Sequence, residues 1–71
     1  MTQQIIQALN AKYTASKLQA IANLQNYLSN PAGIGEHPDI VSECDKLVQQ
    51  ISDADGYLAT LQSMIQEQSA E

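Results

Sequence analysis

From Ile40 to Ile65 the chain sets an uncharged residue at alternating steps of four and three: Ile40, Cys44, Leu47, Ile51, Ala54, Leu58, Leu61 and Ile65. An α-helix turns once in about 3.6 residues, so this alternation keeps all of these side chains in one stripe along its length. A strand, whose side chains alternate faces at every residue, would scatter them. The stripe is the seam of a helix that lies lengthwise against another helix. It fixes an all-α architecture and leaves function open.

The partner helix is found in the same chain. Residues 3 to about 29 are rich in Ala, Leu, Gln and Ile and hold neither Pro nor Gly. Residues 30 to 38 read Asn30-Pro31-Ala32-Gly33-Ile34-Gly35-Glu36-His37-Pro38, with both prolines and two of the three glycines. Residues 39 to about 67 carry the seam. Punctuation between two runs of good helix formers predicts helix, turn, helix. Pro31 disfavours helical geometry at Asn30, so the first helix should stop near Ser29. Gly33 and Gly35 allow a sharp reversal, and Pro38 suits the first position of the second helix. Glu36, Asp39 and Glu43 place negative charge around the positive end of that helix's dipole. Arms of similar length, each about 40 Å at 1.5 Å per residue, predict a single antiparallel two-helix hairpin spanning residues 1–71 and resembling a coiled coil.

The first arm offers a broader stripe of Ile6, Leu9, Tyr13, Ala20, Leu24, Tyr27 and Leu28, with Ile5 and Ile21 at its edges and Lys17 inside it. Lys17 can lay its stem on apolar surface and carry its ammonium to water. Folding about the turn pairs residues whose numbers sum to about 67. Tyr13 then lies over Ala54, a large-against-small fit, and Lys12 lies beside Asp53 and Asp55. Gly56 costs about 1 kcal/mol relative to Ala inside a helix, but the seam runs through it, so one continuous helix is expected there.

Size argues for self-association. A domain this small buries only roughly 60% of the surface its unfolded chain exposes, and such scaffolds usually need a staple. Cys44 is the only cysteine, so no internal disulfide can form. A structural zinc wants about four Cys or His ligands, and the chain offers Cys44 and His37 alone. Dimerisation into a four-helix bundle remains. Leu18, Val41, Val48, Tyr57 and Met64 lie off the seam and are candidates for the surface between hairpins.

The balance of charge narrows the partners. The net charge is −5, with three lysines and no arginine. Direct binding to nucleic acid draws on a basic footprint, and adhesion to an anionic membrane on a basic amphipathic helix. Neither is expected. No apolar run approaches the roughly 18 residues of a membrane span. Met1-Thr2-Gln3-Gln4 is not a charged leader, so no signal peptide is expected, and a cytoplasmic setting with a reduced thiol follows.

Motifs for chemistry are sparse. Glu36-His37-Pro38-Asp39, with Glu43 and Cys44 a turn further on, lacks ligand spacings such as C-x-x-C or H-E-x-x-H and reads as a polar turn opening a helix. Asp53-Ala54-Asp55-Gly56 lacks the later ligands of a calcium loop. No Ser-His-Asp arrangement or phosphate-binding glycine loop is visible. No cofactor, metal or enzymatic activity is expected. Cys44, on the seam, reads as a small buried hydrophobe.

The segment Tyr27-Leu28-Ser29-Asn30-Pro31-Ala32-Gly33-Ile34-Gly35-Glu36-His37-Pro38, continuing into Asp45-Lys46-Leu47-Val48 and Ile51-Ser52-Asp53-Ala54-Asp55, resembles a group of short proteins of T-even-like tailed phages infecting marine cyanobacteria. The likeness covers about Lys12 to Leu61 and is most specific in the Gly33–Pro38 turn. It implies a viral origin and a phase in the host cytoplasm, or a place in the virion. It carries over no catalytic or binding residue.

Two functional readings follow. The first is a non-enzymatic phage accessory factor acting by protein–protein interaction, on itself and on a host or phage protein. Its candidate contacts are Ile34, Glu36 and His37 at the turn and Val41, Val48, Tyr57 and Met64 on the second helix. Gly33, Gly35 and Pro38 also have backbone reasons to be there, with Ile34 closing the end of the hairpin. The second reading is an acidic mimic that sequesters a nucleic-acid-binding protein, since residues 36–71 hold all eight acids. A minor structural component of the virion is the remaining class.

Overall fold

The computed structural model describes residues 3–29 and 39–70, with side-chain surroundings given as far as Gln66. These residues form two helices, α1 over Gln3–Ser29 and α2 over Ile40–Ala70, which pack against each other. No strand occurs among the described residues. The body is 53 Å long and 17 by 15 Å across, the proportions of two rods laid side by side.

The start of α2 has a visible cause. The Asp39 carboxylate accepts a hydrogen bond from the Ser42 backbone N–H at 2.9 Å, and the Asp39 carbonyl accepts one from the Glu43 N–H at 3.2 Å. Asp39 is therefore the N-cap, satisfying donors that a helix start leaves free. Its negative charge, with Glu43 in the first turn, complements the helix dipole. The expectation that Pro38 would open the helix is corrected by this cap. The first helical residue is Ile40, and Pro38 lies outside the described residues with the rest of the 30–38 turn.

All eight seam positions of α2 are turned away from solvent, with Ala54 and Leu61 buried and the other six half-buried. The helix runs unbroken through Gly56, as the seam requires. On α1, Ile6, Leu9, Tyr13, Lys17, Leu24 and Tyr27 are half-buried and Ala20 is fully buried. Leu28, expected in that stripe, is instead 69% exposed. Leu24 to Leu28 is four residues, slightly more than one turn. That step carries Leu28 past the contact line, which Tyr27 occupies.

Cross-helix contacts establish the antiparallel pairing. Gln50 donates from Nε2 to the Ser16 carbonyl at 3.0 Å and the Ser16 Oγ at 3.2 Å. The Tyr13 and Tyr57 rings lie 5.0 Å apart at 52°. Lys17 Nζ meets Asp55 Oδ1 at 2.6 Å. The first pair falls within one residue of the expected register; the other two reach further toward the C-terminal end of α2. Helical side chains lean toward the N-terminus of their own helix. In an antiparallel pair two long side chains therefore lean toward each other across several residues of offset. The same lean redirects the expected ion pair. Asp55 is taken by Lys17 and not by Lys12.

The core is thin. Among the described residues only Ala20, Ala54 and Leu61 are buried, while Ile5, Leu18, Leu28, Val41, Val48, Tyr57 and Met64 are at least 40% exposed. Two rods touch along a line. A short Ala on that line is wholly covered, but a large side chain beside it keeps one edge in water.

Candidate interaction surface

Ala54 leaves room on α2 for the Tyr13 ring, and Tyr57, three residues on, supplies a second ring at the same level. Their separation lies within the range of favourable tilted aromatic pairs, about 4.5–7 Å. Beside them an open groove of about 460 Å³ runs between the helices. Lys12, Tyr13 and Ser16 line it from α1, and Lys46, Gln49, Gln50, Asp53, Ala54 and Tyr57 from α2. A second groove of about 180 Å³ lies between Leu9 and Tyr13 on one helix and Tyr57, Thr60, Leu61 and Met64 on the other. Tyr13 and Tyr57 border both, so the grooves run end to end along one flank of the hairpin.

The two flanks differ. Val41, Val48 and Asp55 recur at seven-residue intervals and so share a side of α2. Nine residues separate Val48 from Tyr57, and nine residues are two and a half turns. Tyr57 and Met64 therefore face the groove flank, and Val41 and Val48 the opposite one. The expectation of one surface holding Val41, Val48, Tyr57 and Met64 together does not survive this separation. Each flank has its own cross-helix polar link: Gln50 to Ser16 beside the groove, and Lys17 to Asp55 on the valine side.

Charges on the groove flank are of both signs. Lys12 and Lys46, two of the three lysines, line it together with Asp53. Lys46 Nζ lies 3.5 Å from Glu43 Oε1, one turn back on its own helix. Gln49, also on the groove lining, donates from Nε2 to the Asp45 carboxylate at 2.9 Å, one turn back on its own helix.

Of the residues singled out by sequence, Val41 is 80%, Val48 52%, Tyr57 53% and Met64 40% exposed. Ile34, Glu36 and His37 lie outside the described residues. Lys12, Tyr13, Lys46 and Gln50 escaped that selection as surface groups. The seam pattern accounts for Tyr13 without its second role; the clue to that role is a tyrosine one turn beyond Ala54, the residue the folded register sets opposite Tyr13. Cys44 is a free, half-buried thiol on the seam. Among the described residues no three His, Cys, Asp or Glu side chains come together as a metal site. No described helix is long and apolar enough to cross a membrane.

No family model matches this chain, and no curated protein or solved structure is significantly similar to it.

Proposed function

We propose that this protein acts without catalysis, by protein–protein interaction, and that its working form is a dimer of hairpins closing into a four-helix bundle. The observation that carries this reading is the ratio of covered to uncovered apolar side chains among the described residues: three buried residues against seven large ones at least 40% exposed. A lone hairpin of this size leaves unspent hydrophobic surface on both flanks, and contiguous exposed apolar surface marks a place where another protein binds. One flank suffices to pair the hairpins; the other stays free for a different protein. With the resemblance of its turn, the reading extends to an accessory factor of a tailed phage of marine cyanobacteria, engaging a host or phage protein in the host cytoplasm.

Sedimentation equilibrium of the pure chain tests the dimer, with a concentration-dependent mass of twice the monomer expected. Affinity purification of the tagged chain from infected cells, with washed virions analysed in parallel by mass spectrometry, tests the second partner. A strictly monomeric chain that co-purifies with nothing and is found only in virions would overturn the reading in favour of a minor structural component.

The acidic-mimic reading has less support. Asp39 caps α2, Asp55 is paired with Lys17 and Asp45 is bonded to Gln49, so these carboxylates serve the fold and do not form a free row. A mimic's complex would weaken steeply with added salt, whereas an apolar helical interface would change little.

A further inference from the structure

We infer that the second copy docks on the Tyr13–Tyr57 groove flank with the two-fold axis parallel to the helices, so that both turns lie at one end of the bundle and α1 of each copy packs against α2 of the other. This rests on the dimer reading above and goes beyond it by assigning the face and the direction. Three observations choose the face. The cleft on this flank is open, about 460 Å³ beside Lys12 and Asp53 and about 180 Å³ beside Leu9 and Met64. It is edged by Tyr57 and by Met64, a flexible side chain suited to filling irregular gaps. The opposite cleft is bridged by the Lys17–Asp55 ion pair at 2.6 Å, whose side chains are 34% and 52% exposed, and a partner there would have to strip water from both charges. A standard interface covers about 800 Å² per partner, which a flank 53 Å long and 17 Å wide can supply.

Charge chooses the direction. Lys12 on α1 and Asp53 on α2 edge the same groove from opposite sides. A two-fold axis along the rods lays each α1 edge over the partner's α2 edge at the same level, so Lys12 of one copy meets Asp53 of the other, twice. It also brings Tyr13 of one copy to Tyr57 of the other. A two-fold axis across the rods at the level of this groove would instead lay α1 on α1 and α2 on α2, setting Lys12 against Lys12 and Asp53 against Asp53. A chain of net charge −5 already repels its own copies, and like charges placed opposite across an interface add to that repulsion. The isologous contact satisfied by opposite charges is the one with the axis along the bundle.

The test uses the full chain. Lys12→Glu makes the groove flank acidic and Asp53→Lys makes it basic, at two exposed positions away from the buried contact. Each variant alone should raise the dimer dissociation constant at least about tenfold, and an equimolar mixture should form the heterodimer in preference to either homodimer. Val41→Asp/Val48→Asp, on the opposite flank, should leave the dimer unchanged. Direction is read from a spin label at Asn26→Cys, an exposed position fourteen residues from Lys12, in a Cys44→Ala background. An axis along the rods keeps the two labels at one level, within the width of the bundle, whereas an axis across them at the level of Lys12 sets the labels about 40 Å apart at 1.5 Å per residue. Dimers indifferent to both charge reversals but broken by the valine pair would overturn the assigned face while leaving the dimer reading intact. Heterodimer preference with widely separated labels would overturn the direction. A wild-type chain that is monomeric at every concentration would overturn both readings together.

Discussion

The two helices are of similar length and touch along the same line, yet they are built differently. α2 has a capping Asp39, an acid in its first turn and an apolar seam without a slip, and every seam residue faces inward. α1 has no acid in its first turn, segregates its apolar residues less sharply, and carries Lys17 inside its stripe. Its last large residue, Leu28, faces solvent. α2 thus specifies its own start and its own inward face. α1 has strong intrinsic helix formers but takes its orientation from the groove that α2 presents. A regular seam acts as the template, and a loosely patterned helix docks on it.

This contrast can be broken by mutation, and the largest effect should come from the template. Leu61→Ala removes a large buried side chain of α2 and should destabilise by about 2–4 kcal/mol, which in a scaffold this small abolishes the cooperative thermal transition followed by circular dichroism. A shallow loss there would mean that the seam contributes less than its burial implies. Next in size is the cap: Asp39→Ala should cost about 1 kcal/mol, lowering the urea midpoint, and Asp39→Asn should recover most of it because the amide oxygen can still accept from the Ser42 N–H.

Gly56→Ala should act in the opposite sense, stabilising by about 1 kcal/mol, because a Cβ built at Gly56 meets nothing within 4 Å. A destabilised variant would reveal that another backbone approaches this point in the assembled protein. The smallest effect belongs to α1. Leu28→Ala, at a side chain 69% exposed, should change stability by less than about 0.5 kcal/mol. A cost as large as that at Leu61 would erase the distinction between the two helices and place Leu28 in a second interface.

Much of the fold was legible beforehand, for reasons that differ by region. The end of α1 at Ser29 followed from Pro31, since backbone chemistry acts locally. The continuity of α2 through Gly56 followed because eight seam positions in unbroken register outweigh one poor helix former. The start at Pro38 did not follow, because an Asp three residues before a free N–H competes for the same role, and the bond from the Ser42 N–H to the Asp39 carboxylate decided it. The interaction surface was legible only as a set of residues. Val41, Val48, Tyr57 and Met64 are exposed as expected, but their division between flanks was overlooked although the nine-residue step from Val48 to Tyr57 contains it.

By itself the sequence determined which residues lie on the contact line of α2, because helical period and seam spacing are properties of one chain segment and need no partner. What only the tertiary structure decided is how the helices engage: Lys17 and not Lys12 on Asp55, the Tyr13 ring against Tyr57, Leu28 in water, and an open groove on one flank opposite an ion pair on the other. These depend on the rotation of each helix about its axis and on the lean of long side chains toward their own N-termini, quantities fixed only when two helices share a surface.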